Sequence, residues 1–92
     1  MQYDIASSKA KNALDIYPSQ PILYLVNGVA LNKLKKGKEA LNSLEMGLDF
    51  IIDDVKMEID FYNQISIAYS LLNNEVKAKA FSDKAKQLET PN

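Results

Sequence analysis

The stretch PILYLVNGVALNKLKKGKEALNSLEMGLDFII, residues 21–52, decides the fold. Pro21 stands where a first helical turn tolerates proline, because the N–H it lacks would be unpaired there. Ile22, Leu23, Tyr24, Leu25, Val26, Val29, Ala30, Leu31 and Leu34 then make a helix that is apolar nearly all round. Such a helix is wrapped by neighbours and does not lie on a surface by one stripe alone. Lys35, Lys36 and Gly37 break it. They put cations near a helix C-terminus and offer a glycine that tolerates positive φ. A second helix follows with a single apolar stripe of Ala40, Leu41, Leu44, Gly47, Leu48 and Ile51. Gly28 and Gly47 lie inside these helices, each at a cost of about 1 kcal/mol relative to Ala. Both fall on the faces the two helices share, which predicts close approach of the two backbones.

The flanks read as copies of these parts. From Gln2 to Tyr17, Ala6, Ala10, Ala13, Leu14 and Tyr17 form one helical stripe, with Ile5 beside it, and Pro18 ends the helix. After residue 52, Asp53 or Asp54 is placed to cap a helix of about Val55 to Leu72. Asn73 and Asn74 make a turn, since Asn accepts the left-handed conformation and the second Asn is placed to cap the next helix. A last helix runs from about Glu75 to Glu89, with Ala78, Phe81, Ala85 and Leu88 as its stripe. Ala6 precedes Ala40 by 34 residues, and Ala40 precedes Ala78 by 38. The four extra residues amount to about one helical turn. They predict that one helix beside Asp53 is a turn longer, with the helix after it the better candidate.

This arrangement resembles the tetratricopeptide repeat, a helix–turn–helix unit of about 34 residues with the pattern W-x2-L-G-x2-Y, A-x3-F, P. In the stretch 21–52 those slots hold Tyr24, Asn27, Gly28, Leu31, Ala40, Leu44 and Ile52, so the Gly and the Ala match outright and Asn27 and Ile52 depart. In the next unit Tyr62, Ile65, Ser66, Tyr69, Ala78 and Ser82 take the corresponding slots, and in the first segment Ala6 and Ala10 do. Some bacterial repeat proteins look similar, with a longer helix after an Asp-rich junction. The resemblance implies an all-α fold of five helices, stacked as antiparallel hairpins in a right-handed solenoid, and a single domain over residues 1–92. Residues 1–18 would be the second helix of a preceding repeat, 21–52 the central repeat, and 53–90 a second repeat with an extended first helix. It also implies a fragment of a longer array.

Composition narrows the function classes. The chain has 92 residues, 47% hydrophobic and 25% charged, with net charge −1, which gives no nucleic-acid footprint. It has no cysteine, histidine or tryptophan, which removes thiol and imidazole chemistry and the usual transition-metal ligands. No apolar run reaches the length of a membrane span, and the N-terminus does not read as a signal peptide. The compartment stays open. Asp49, Asp53, Asp54, Glu58 and Asp60 cluster at an interhelical junction, where capping and solvation explain them better than paired-carboxylate catalysis. The segment lacks the ligand spacing and central glycine of a calcium loop. Lys33, Lys35, Lys36 and Lys38 read as a solvated helix end. Tyr17, Tyr24, Phe61, Tyr62, Tyr69 and Phe81 fall at helical spacing and read as core.

The expectation is therefore a non-enzymatic module with no cofactor and no metal. Its partner would be a protein or peptide, or a second copy of the chain, with neither nucleic acid nor membrane. On the repeat reading, the inner face exposes Ile22, Leu25, Val29, Asn32 and Lys33 in one unit and Asp60, Asn63, Gln64, Ile67 and Ser70 in the next. No basic pair converges there, which argues against a clamp for acidic peptide tails. Ile22, Leu25, Val29, Asn32, Asn63, Gln64 and Ile67 are the binding residues this reading selects, for an apolar peptide or a partner helix. The alternative is a structural or oligomerising segment of a longer array, pairing through Ala6, Ala10 and Ala13 at one end and Phe81 and Leu88 at the other.

Overall fold

A computed structural model describes residues 2–89. Within them the chain forms five α-helices and no strand: α1 Gln2–Ile16, α2 Pro21–Lys33, α3 Gly37–Leu48, α4 Val55–Leu71 and α5 Glu75–Glu89. Each helix packs on its neighbours in the chain, and α2 also meets α4, whereas the backbones of α1, α3 and α5 do not approach one another. The contacts thus sort the helices into two layers, α2 and α4 in one and α1, α3 and α5 in the other. The shortest dimension, 18 Å, is that of two helix layers.

The first helical hairpin is drawn together by its two internal glycines. A Cβ on Gly28 would collide with the Leu44 side chain, and one on Gly47 would collide with Cβ of Tyr24 and come within 2.9 Å of the Phe61 ring. Around this contact Tyr24, Leu25, Leu44, Phe61 and Ile65 form the buried core, with Phe61, Leu44 and Ile65 its largest sealed side chains. A smaller cluster of Leu31, Ala40 and Ala68 closes the other end of α2.

The turns inside the two hairpins have the same construction, 38 residues apart. Lys35 and Asn73 both take positive φ, at 63° and 60°. The next N–H in each case, that of Lys36 or Asn74, donates back to the carbonyl of Leu31 or Tyr69 at 2.9 Å. This satisfies helix-end carbonyls that would otherwise lack partners. The left-handed position of the first turn therefore falls on Lys35, and not on Gly37 as its composition suggests. Gly37 has ordinary φ and begins α3, where a Cβ would come within 3.0 Å of the Ala68 carbonyl oxygen. Its small size serves close packing of α3 on α4.

Asp54 is the residue that caps α4, its carboxylate accepting from the Met57 N–H at 3.0 Å, and Asn74 caps α5 through the Lys77 N–H at 3.2 Å. Asp53 takes positive φ in the connection before α4. The extra turn lies in α4, which has 17 residues against 13 in α2. α3 stops at Leu48, so Ile51 packs on the core from the connection and not from a helix. Tyr17 also departs from the core reading. It sits in the α1–α2 connection and is 58% exposed.

The glycine contacts give an ordered prediction. Gly47→Ala should destabilise by about 1–3 kcal/mol despite its helix-propensity gain, because the obstruction is the stem of Tyr24. Gly28→Ala should be milder, since the Leu44 atoms it meets, Cγ and Cδ2, lie farther out along a side chain than Cβ of Tyr24 does. Gly28→Leu should again cost about 1–3 kcal/mol. Urea midpoints of the three variants check the order.

Candidate functional site

The seven residues selected from the sequence separate into two groups. Leu25 and Asn32 are buried. They lie on the side of α2 that meets α4, which corrects the expectation that both face solvent. The physical reason is the α2–α4 contact itself. The Asn32 amide group donates to both the Gln64 carbonyl and the Gln64 side-chain oxygen, each at 3.0 Å. Asn32 and Gln64 therefore hold two helices together.

Ile22 and Ile67, each 45% exposed, remain open, as does Asn63, while Val29 is half-buried. Val26, absent from the sequence selection, belongs with them at 40% exposure. Ile22, Val26, Val29 and Lys33 make the outward stripe of α2, at the helical steps of four, three and four residues.

Two grooves flank α2. One, of about 280 Å³, runs between α1 and α2 and is lined by Tyr3, Ala6, Leu25, Val26, Val29 and Ala30. Its lining is almost wholly apolar. The other, of about 550 Å³, separates α1 from α3 on the opposite side of α2. Tyr24, Asn27, Leu31 and Ser43 contribute to its lining, with the charged Lys11, Asp15 and Glu39 also along it. Neither groove follows from periodicity, because an all-round apolar α2 does not mark which of its sides stay open.

Asn27 occupies a slot where the repeat pattern has leucine, and the structure gives the reason. Ser7 Oγ of α1 donates to Asn27 Oδ1 at 2.6 Å, Asn27 Nδ2 donates to Ser43 Oγ of α3 at 3.2 Å, and Ser43 Oγ donates to the Tyr24 carbonyl at 3.1 Å. All three side chains are buried. Each member donates onward in one direction, the arrangement in which hydrogen bonds strengthen one another. The Tyr24 hydroxyl also donates to the Pro18 carbonyl at 2.6 Å, holding the α1–α2 connection against α2.

At the far end of the molecule, Phe81 lies 5.8 Å from the Tyr62 ring and 5.7 Å from the Tyr69 ring, with Lys84 Nζ 4.6 Å from its own centroid. Phe81 and Leu88 are thus partly covered within the chain, and Ala10 is buried at the other end. Partial burial and the nearby Glu58 carboxylate, which also accepts a hydrogen bond, hold the Tyr62 phenol above its usual range. The acidic residues of the junction do not assemble a metal site, and no group of three or more candidate ligands occurs among the described residues. No helix among them is long and apolar enough to cross a membrane.

Comparison with known proteins finds no matching family model, no matching curated protein and no matching solved structure.

Two outcomes follow. Asn27→Ala should destabilise by about 1–3 kcal/mol, because it strands the buried Ser7 hydroxyl, whereas Asn27→Leu combined with Ser7→Ala should recover much of that loss. Thermal melts of the single and double variants check this. The Tyr62 shift favours the neutral phenol in the folded state. Its stabilising contribution is complete below about pH 10 and is lost as pH rises through the folded-state value. Ultraviolet titration of Glu58→Gln should show the Tyr62 transition moving to lower pH.

Proposed function

We propose that this chain is a tetratricopeptide-like interaction module, without catalytic activity, that holds a protein segment against the α2 and α4 side. The observation that carries this reading is the outward stripe of α2. Its other sides already pack on α1, α3 and α4, yet Ile22, Val26 and Val29 continue the apolar surface into solvent, with Lys33 as the charge at its end. A surface helix with no partner ordinarily turns polar residues outward. Ile67 extends the stripe on α4, and Asn63 gives it a polar margin suited to the backbone of a bound segment.

The two hairpins support the repeat resemblance. Tyr24 and Tyr62, Ala40 and Ala78, and the left-handed Lys35 and Asn73 recur at one interval, and the longer α4 accounts for its excess over the family spacing. A second reading draws on the same stripe: a copy of the chain covers it, and the chain is a structural or oligomerising segment. The α2 surface favours that over pairing through Phe81 and Leu88, since Phe81 is already engaged by Tyr62 and Tyr69 of α4 and Leu88 is half-buried.

Crosslinking in the source lysate tests the proposal. The wild-type chain should retain a discrete partner that Ile22→Asp with Ile67→Asp loses, both sites being exposed enough to accept a charge without unfolding. Equal capture by both proteins would reject this surface. Light scattering over a dilution series separates the readings: a dimer abolished by the same double variant would favour self-association.

A further inference from the structure

The groove between α1 and α3 has a counterpart in the same molecule. At the interval of 38 residues, Tyr24, Leu31 and Ser43, which line it, stand where Tyr62, Tyr69 and Phe81 stand in α4 and α5. There the Phe81 ring lies against both tyrosines, 5.8 Å from the Tyr62 ring and stacked at 5.7 Å on that of Tyr69. Here the corresponding side chain is the hydroxymethyl group of Ser43, drawn into bonds with Asn27 and the Tyr24 carbonyl, and a groove of about 550 Å³ stays open beside it. Phe50, which stacks on Tyr24 at 5.8 Å, is not part of the lining. The first groove is thus the second without its ring. Nor is it a seat for another helix of the stack. Among the described helices only α4 meets both α3 and α5, as only α2 meets both α1 and α3, and the second groove is filled from within by a side chain.

We propose that this groove binds a small aromatic molecule that carries an ammonium group, its ring set over Tyr24, Leu31 and Ser43 as Phe81 is set over Tyr62 and Tyr69. The charge follows from the same comparison. In the second hairpin the chain supplies the cations itself: Lys84 Nζ lies 4.6 Å from the centroid of Phe81, and Lys77 Nζ lies 5.6 Å from that of Tyr69. The equivalent positions, both in the lining of the first groove, hold Met46 and Glu39. Asp15 adds a second carboxylate from α1, and Lys11, about one turn before it, is the single cation in the lining. The groove therefore offers Tyr24 and Leu31 to a ring face, a thioether suited to a ring edge, and an excess of negative charge at its rim. An aromatic anion meets that excess unfavourably, whereas an aromatic cation brings the charge that Lys77 and Lys84 provide in the second hairpin. The site lies across α2 from Val26 and Val29, so it is separate from the surface proposed above for a protein segment.

The probe is phenethylamine, titrated into the isotope-labelled full chain and followed by amide chemical shifts, with neutral phenethyl alcohol and anionic phenylacetate in parallel. The expected result is saturable shifts by the amine concentrated in residues 11–15, 24–31 and 39–46, with a dissociation constant below about 1 mM. Phenethyl alcohol should bind about threefold or more weakly, and phenylacetate more weakly still. Asp15→Asn with Glu39→Gln should bring the amine to within about twofold of the alcohol, and both positions are exposed, so the fold is kept. Ser7→Ala, Asn27→Ile and Ser43→Phe together give the first groove the ring of the second, and should weaken binding of the amine about tenfold or more. Ile22→Asp with Ile67→Asp, which tests the other surface, should leave the amine's affinity within about twofold. The proposal is overturned if the amine gives no saturable shifts, if the shifts map to the α2 and α4 surface, if phenylacetate binds as tightly as the amine, or if the triple variant folds and still binds. Should the triple variant not fold, the carboxylate variant decides: an affinity for the amine that it leaves unchanged overturns the proposal.

Discussion

Gly28 and Gly47 let the α2 and α3 backbones approach until Leu44 lies against one and Tyr24 against the other. That contact sets the rest of the packing. It brings Tyr24 close enough to α3 for Ser43 to reach its carbonyl, and it lets Phe61 of α4 press against Gly47. The core is then closed by residues from three consecutive helices. A helix interior with glycine gives up about 1 kcal/mol of local stability at each position. Sealing side chains such as Leu44, Phe61 and Ile65 gives back about 1.5–3 kcal/mol each, so the exchange favours the close contact.

The two hairpins share a frame and fill it with different chemistry. Positions 27 and 43 carry a buried Asn and Ser, while positions 65 and 81, at the same interval of 38, carry Ile and Phe. Asn27 and Ser43 join the first hairpin by hydrogen bonds, while the second combines one hydrogen bond, from Ser66 Oγ to the Ala78 carbonyl at 2.7 Å, with ring contacts of Phe81 to Tyr62 and Tyr69. Buried polar contacts hold only one alignment of their partners, whereas apolar side chains can repack. Both grooves described above flank the first hairpin.

Helix number and order were legible in the sequence, as was the chemistry of the second turn. Pro21, Pro18, Asn73 and Asn74 punctuate the chain where the helices end or begin, and the small residues recur in phase. The direction in which α2 faces was not legible. An apolar residue at nearly every step leaves no polar side to mark solvent, so Leu25 and Asn32 read as exposed when α4 covers them, and Val26 read as core when it is open. Lys35 was equally hidden: a lysine in the left-handed region costs about 1–2 kcal/mol, and only the Lys36–Leu31 hydrogen bond explains its presence there. Asn27 stood out as a departure from the repeat pattern. Its meaning needed two partners, Ser7 and Ser43, that lie 20 and 16 residues away.

The backbones of α1 and α3 do not approach each other, yet the two ends of Asn27 connect the helices through the body of α2. Peeling α1 away would strand a buried amide oxygen and expose the core beneath Ala10 and Leu14 in the same event. α1 is accordingly bound into the cooperative unit formed by its neighbours. Amide protons of α1 should therefore exchange on a timescale close to those of α3, because Asn27 adds a buried polar tie to the packing of Ala10 and Leu14.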